Sequence, residues 1–238
     1  MQKEQYVCTV CGFNMVGYHA DFCPFCGAPK EKFITSEECS ARYKVVGTPV
    51  NGKVTRLNSV PTLGFEHAAY RIETGGKTFW IDCPSCFDTS LKPVDAIMFT
   101  HHHFLGASNQ YRGFFNSQVR IHKLDSAHSI CLAFTFDVTF TENFAEFGIE
   151  AFHIGGHTPG FTFYLFGDVL LICDYVFLKG EGMSFNPFGP QKETRACAAK
   201  INRMLKGREI STVCGWNYVA DYKDWKERFD TLLDDVRK

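Results

Sequence analysis

No run of apolar residues in this chain approaches the roughly 20 that a membrane-spanning helix needs, so no membrane span is expected. The opening Met1-Gln2-Lys3-Glu4-Gln5-Tyr6 lacks the apolar stretch of a secretory signal. An excess of charge is also missing. The 25 Lys and Arg nearly balance the 26 Asp and Glu, and a net charge of −1 gives no reason to expect nucleic acid or another polyanion as partner. The 11 cysteines are odd in number and come without an export signal, which argues against a disulfide framework and for a reducing compartment. The expected setting is therefore cytoplasmic, or an organelle stroma if a transit peptide has been removed.

What the sequence does have is core and cysteine. Hydrophobic residues make up 45% of the 238 residues and aromatic residues 15%, enough for one medium domain and a small one, and the 24 Phe are read as packing. Four cysteines fall into two knuckles, Cys8-Thr9-Val10-Cys11-Gly12 and Cys23-Pro24-Phe25-Cys26-Gly27. The Gly after each second Cys lets the backbone turn so that amides point at the sulfurs, and the pair can present four thiolates tetrahedrally to one metal. So short a segment buries little core, so metal binding has to supply much of its folding free energy. Iron and zinc both accept four thiolates. Of the other seven, Cys39, Cys83, Cys86, Cys131, Cys173, Cys197 and Cys214, most are expected to pack as small hydrophobes.

Tyr6-Val7-Cys8-x-x-Cys11-Gly12-Phe13, followed by Cys23-Pro24-x-Cys26-Gly27-Ala28-Pro29-Lys30-x-x-Phe33, resembles a rubredoxin-type domain. The short gap between the knuckles is similar to that of rubrerythrin iron domains. The resemblance implies a single iron and one-electron chemistry, with a structural zinc ribbon as the alternative. Thr35-Ser36-Glu37-Glu38 carries a capping signal. The domain boundary is placed there, giving residues 1–36 as the metal knuckle and 37–238 as a second domain.

In the second domain, strands are expected over Val54–Val60, His67–Ile72 and Thr78–Ile81, the last two as a hairpin around Gly75-Gly76. Val94–Phe99, Gln118–His122, Phe134–Phe140 and Ile149–Ile154 follow. A second hairpin spans Phe161–Phe166 and Val169–Cys173, then a helix over Lys192–Leu205, a strand over Ile210–Cys214 and a helix over Asp221–Val236. This order suggests a layered α/β sandwich. Thr100-His101-His102-His103 follows a strand pattern, so His101 and His103, two apart at a strand end, can converge while His102 points away and is read as no ligand. Gly155-Gly156-His157-Thr158-Pro159-Gly160 places an imidazole in a shaped loop, and Leu171-Ile172-Cys173-Asp174 ends a buried strand in a carboxylate. His19, His67, His122, His128 and His153 have no partner pattern and are read as surface or core residues.

In this order the motifs resemble the metallo-β-lactamase superfamily over nearly all of residues 45–238, Gly-His-Thr-Pro-Gly being the most specific piece and Asp82 matching the family's early strand-end Asp. The expected fold class is thus α/β, a metallo-β-lactamase-type αββα sandwich preceded by a small rubredoxin-like metal-knuckle domain. The departures are informative. The family pattern His-x-His-x-Asp-His has Leu105 and Gly106 in its last two ligand places, and the late Gly-His becomes Gly215-Trp216. All three losses fall on the second metal site. The resemblance assigns His101, His103, His157 and Asp174 to one remaining ion, iron or zinc, or to a site left empty, with Asp174 and His157 as the catalytic pair. The persulfide dioxygenase branch, which uses one iron with two His and one Asp, is similar in part; flavodiiron proteins are not, because their acidic ligand pattern is absent. Cys83-Pro84-Ser85-Cys86, directly after Asp82, is expected as a redox disulfide, a low-pKa thiolate or a turn without chemistry.

Three functions compete. The first is an iron-binding oxidoreductase with a rubredoxin-like electron-transfer domain and a mononuclear non-haem iron, in which electrons pass to the His/Asp site, to Cys83 and Cys86, or to an external partner. The second is a single-zinc hydrolase of thioesters or phosphodiesters with a structural zinc knuckle. The third is a non-catalytic metal-binding or assembly protein. The expected partners are a small-molecule substrate or a redox partner protein.

Overall fold

The computed structural model describes residues 4–237. The four-cysteine segment is built on a three-stranded antiparallel sheet in the order β2-β1-β3, with β1 (Gln5–Cys8), β2 (Asn14–Val16) and β3 (Phe33–Thr35). Its small core is made of Cys8, Cys11 and Cys23 with Phe13, Met15 and Phe33. The capping signal does what its residues predict. The Thr35 side chain accepts from Glu38 N at 3.2 Å, Glu38 Oε2 accepts from Thr35 N at 3.0 Å, and α1 (Ser36–Arg42) starts there.

The chain divides into two compact units, Met1–Ile121 with Ser126–Thr139, and His122–Asp125 with Phe140–Lys238. The first unit holds the knuckles together with most of a seven-stranded sheet. That sheet contains β4 (Lys44–Pro49), β5 (Val54–Val60), β6 (Ala69–Thr74), β7 (Lys77–Ile81), β8 (Ala96–Met98), β9 (Gln118–His122) and β10 (Val138–Phe140), side by side in reverse order from β10 to β4. β4 to β7 are antiparallel, and β7, β8 and β9 run parallel. The parallel strands end on the same edge, where Asp82 and the histidine cluster emerge, because a parallel register sends successive C-terminal ends to one side. Val7, Ile34 and Cys39 from the knuckle end of the chain pack in one core with Leu57, Trp80, Ile97 and Tyr111.

The loop before β6 clamps the first knuckle. Phe65 N donates to Val10 O at 2.8 Å, and Gly64, at φ +54°, approaches so closely that a Cβ there would lie 2.2 Å from Val10 O. Glu66, buried beside Gly12, accepts from Ser59 N and from Ser59 Oγ, the latter at 2.9 Å.

The second unit is organised on a six-stranded sheet. It runs β11 (Phe144–Glu146), β12 (Ile149–His153), β13 (Thr162–Phe166), β14 (Val169–Cys173), β17 (Thr212–Gly215) and β18 (Val219–Asp221). Between β14 and β17 the chain makes a hairpin, β15 (Val176–Lys179) with β16 (Gly182–Phe185), and then α4 (Gln191–Leu205). α5 (Tyr222–Arg237) closes the chain, burying Trp225 and Phe229. The core strands β13 and β14 are buried at every position, as their unbroken apolar runs predict.

Most expected elements are present within a residue or two. The strand expected over Phe134–Phe140 is confined to Val138–Phe140, because the preceding residues are held by a side chain: Asn109 donates to Ala133 O at 3.0 Å and accepts from Thr135 N at 3.0 Å. Two short helices, α2 (Ser108–Phe115) and α3 (Lys123–Ser126), and the β15–β16 hairpin had no sequence signal. Only Ser108 and Tyr111 are buried in α2, too few to leave an apolar period.

Burial raises the Glu66 carboxyl from its ordinary 4.5 to about 7, against the hydrogen bonds from Ser59. Between those two values the folded chain keeps a proton that the unfolded chain releases, so this group's contribution to stability falls as pH rises from 4.5 to about 7. Glu66→Gln keeps an acceptor for Ser59 and removes the ionisation. Urea unfolding should show the variant gaining on the parent across that window, by up to ~3 kcal/mol above it. A pH-independent difference would contradict the assignment.

Candidate metal centres

Cys8 Sγ lies 3.7 Å from Cys26 Sγ, and Cys11 Sγ lies 3.7 Å from Cys23 Sγ. Metal–sulfur bonds of about 2.3 Å in a regular tetrahedron give sulfur–sulfur edges of about 3.8 Å, so the four sulfurs stand where one ion would need them. Gly12 and Gly27 have φ of +75° and +73°, and each donates its N–H to the carbonyl of the first Cys of its knuckle, at 2.8 and 2.9 Å. That turn aims further amides at sulfur. Cys8 receives N–H bonds from Val10 and Cys11, and Cys23 receives them from Phe25 and Cys26. The thiols also share protons with one another. Hydrogen bonds from Cys11 and Cys23 hold Cys8 low, while Cys11, bonded to Cys23 and Cys8 and buried, is pushed far up. Four crowded sulfurs cannot all be thiolates without a cation among them. Cys26 is the exposed member; the other three are buried.

The remaining candidate donors are His101 and His103 in the first unit and His157 and Asp174 in the second. The first pair does not sit on a strand end as expected. β8 stops at Met98, and His102–Phe104 form a 3₁₀ turn with His101 as its N-cap. The ring centroids of His101 and His103 are 4.7 Å apart. His102 stacks on His128 at 4.0 Å and is not among the grouped donors. Asp82, at φ +59°, accepts from Thr100 N at 2.9 Å and from Thr100 Oγ1 at 3.0 Å, and Thr100 Oγ1 lies 2.9 Å from His101 Nδ1. A carboxylate only accepts, so Thr100 gives its proton to Asp82 and receives one from His101 Nδ1. The lone pair of His101 is thereby placed on Nε2, as a metal ligand needs.

In the second unit, the His157 loop is held by Asp125, a buried residue that no motif announces. Thr158 Oγ1 donates to Asp125 Oδ2 at 2.8 Å and Gly160 N to Asp125 Oδ1 at 2.7 Å. Only glycine fits at position 160, where a Cβ would lie 2.8 Å from the Asp125 carboxyl. Asp174 follows Cys173, which adopts φ +51° beside a bulge between β14 and β17. His157 Nε2 and Asp174 Oδ2 are 3.5 Å apart, and both side chains are buried. Asn186 joins them. Its Oδ1 accepts from Phe188 N at 2.9 Å, which turns its NH₂ toward Asp174 Oδ2 at 2.8 Å and His157 Nε2 at 3.3 Å. An NH₂ facing Nε2 assigns a lone pair to that nitrogen too. Neither Asp125 nor Asn186 was found by sequence reasoning; each lies in a segment with no periodicity.

Cys83 and Cys86 are fully buried, and burial pushes the Cys83 thiol well up, opposite to what a reactive thiolate requires. Cys86 Sγ points at the carbonyls of Tyr43 and Cys39, at 3.5 and 3.7 Å. His67, expected at the surface or in the core, is buried. It bonds the Cys83 carbonyl through Nε2 at 2.7 Å and stacks on Phe104 at 4.2 Å, and burial lowers it to about 4.

The positions that the sequence resemblance would assign to a second metal are closed. Leu105 is buried in the first core. Gly106 has φ +49°, and a Cβ there would lie 2.4 Å from the carbonyl oxygens of both Cys83 and Pro84. Trp216 N donates to Cys173 O at 2.8 Å, and its ring packs on Phe177 at 5.4 Å between centroids.

The sheets, the glycine-shaped His157 loop and the strand-end carboxylates define a metallo-β-lactamase-type fold, here with an N-terminal four-cysteine knuckle. No protein-family model matches the chain, and no curated protein does. Solved structures do. A metallo-β-lactamase from Pontibacter korlensis is 18% identical with a TM-score of 0.64, covering 80% of this chain and 99% of its own. A metallo-β-lactamase superfamily protein from the archaeon Sulfolobus tokodaii is 15% identical with a TM-score of 0.52, covering 70% of this chain and 80% of its own. The protein TTHA1623, solved in a di-iron-bound form, is 21% identical with a TM-score of 0.53, covering 68% of this chain and 93% of its own.

Introducing metal ligands at positions 105 and 106 should therefore fail. Gly106→His, alone or with Leu105→Asp, is expected to bind no additional metal. It should lose stability by at least the roughly 1–3 kcal/mol that a side chain at positive φ costs. Metal content and urea midpoint check this; a gain of one ion at unchanged stability would contradict it.

Proposed function

We propose that this chain is an iron-binding redox metalloprotein. Residues 1–36 are its rubredoxin-like electron-transfer domain, and residues 37–238 a metallo-β-lactamase-like domain whose single ion is held by His101, His103, His157 and Asp174. The observation that carries this reading is the sulfur cluster. Four sulfurs spaced for one ion, with N–H bonds from Val10, Cys11, Phe25 and Cys26, form the environment that stabilises a tetrathiolate in two charge states. An iron bound there supplies a one-electron couple.

The chain's own contribution at the second set is ligand orientation. Asp82 and Thr100 fix the His101 tautomer, Asp125 holds the His157 loop, and Asn186 steers Asp174 and His157. Closure of position 106 favours a mononuclear site over the two-metal arrangement that hydrolysis by paired ions requires. A one-metal His/Asp site with open positions suits non-haem iron chemistry. The substrate class is a small molecule, with a redox protein as electron partner and a reducing compartment as setting. Among the described residues no helix is long and apolar enough to cross a membrane.

Asp174→Ala tests the ligand assignment. The variant should lose one metal ion per chain by elemental analysis while keeping the visible spectrum of the four-cysteine centre. Retention of the full metal complement would overturn the assignment. Zinc in place of iron in the parent protein would instead favour the single-zinc hydrolase.

A further inference from the structure

In the first unit, the four-cysteine set and the His101–His103 pair touch through one side chain. Phe25 lies inside the second knuckle, between the ligands Cys23 and Cys26, and its amide is among those donating to Cys23 sulfur. Its ring does not stay within the small domain. It meets the His103 imidazole edge-on at 5.6 Å between centroids and the Phe104 ring at 6.0 Å. His103 in turn packs on His101 at 4.7 Å. Behind Phe25 the ring of Phe13 is stacked at 6.2 Å, and behind Phe104 that of His67 at 4.2 Å, so the contact is fixed from both sides. A pocket of about 10 Å³, room for about one water, is lined by Cys11, Phe25, His103 and Phe104 with other residues of the first unit.

Packing alone would be served by any apolar residue at position 25. An aromatic ring there joins a sulfur ligand to an imidazole ligand through one residue's covalent frame and one ring contact, with almost no solvent between. The exposed Cys26 stands at the other end of the same knuckle, open to a donor outside.

We infer that Phe25 is the bridge by which the four-cysteine centre and the His103 side of the second site exchange an electron. The inference rests on the redox reading above. With one iron held by Cys8, Cys11, Cys23 and Cys26 and another by the histidines, the step would be a single-electron transfer, the first passing from ferrous to ferric and the second from ferric to ferrous. No bond is made or broken and no proton is required. The electron comes from a one-electron donor that reaches the knuckle at Cys26.

The test uses full-length protein with iron in both sites, and a second sample with redox-inert zinc in the His/Asp site. A ruthenium polypyridyl photoreductant injects one electron, and the visible band of the four-cysteine centre is followed. In the iron-loaded protein the bleached band should recover in a first-order phase independent of protein concentration, and the zinc-loaded protein should lack that phase. Phe25→Leu keeps an apolar filler. It should leave the oxidised spectrum unchanged and slow the phase severalfold, whereas Phe25→Tyr, which keeps the ring, should restore it. An equal rate in the parent and Phe25→Leu, or no such phase in the parent, overturns the bridge. Absence of the visible band before the flash is a different result: it removes the redox reading itself, and the bridge with it.

Discussion

Four sulfurs brought within bonding distance of one point cannot all carry charge unless a cation sits among them. The N-terminal segment depends on that constraint, because its own core is little more than Cys8, Cys11, Cys23, Phe13, Met15 and Phe33. Its anchoring to the first large sheet depends on it in turn. Val10 is clamped by the loop containing Gly64 and Phe65, Asn14 donates to Ser85 O at 3.1 Å, and Phe25 reaches His103. Losing the ion would therefore loosen more than the knuckle. It would free contacts that help to fix the 3₁₀ turn carrying two histidines of the second donor set.

The second set shows the opposite principle, positions lost by backbone geometry. A ligand can be removed by one substitution and regained by another, but position 106 is occupied by glycine at positive φ against two carbonyl oxygens. The carbonyl of Cys83 in that contact also accepts from buried His67. The loop Asp82–Ser85, the histidine turn and the first knuckle are thus packed as one arrangement. A side chain able to bind a second ion has no room in it, so the backbone itself closes position 106.

The cysteine knuckles were legible because their chemistry is local: two C-x-x-C-G segments contain their own turn and their own N–H donors. The strands from Val54 to Ile81, the hairpin ending at Cys173 and the two long helices were legible from unbroken apolar runs or helical period. The site was legible only in its ligands. His101 and His103 were expected to converge through strand alternation and are placed instead by a 3₁₀ turn. Asp125 and Asn186 act across 33 and 12 residues of sequence on Thr158 and Asp174, and such pairings leave no periodic trace. Thr100 was in view, but its part depends on a hydrogen bond to Asp82 that spacing cannot supply. Cys83 and Cys86 carry a redox spacing, yet burial decides their environment, and burial is not written in a four-residue motif.

The most direct measurement is the metal content and visible spectrum of protein purified without oxygen and without added metal. The account predicts a red, reducible chromophore with about two irons per chain, one in the tetrathiolate and one in the His/Asp set. Colourless protein carrying zinc alone would contradict it.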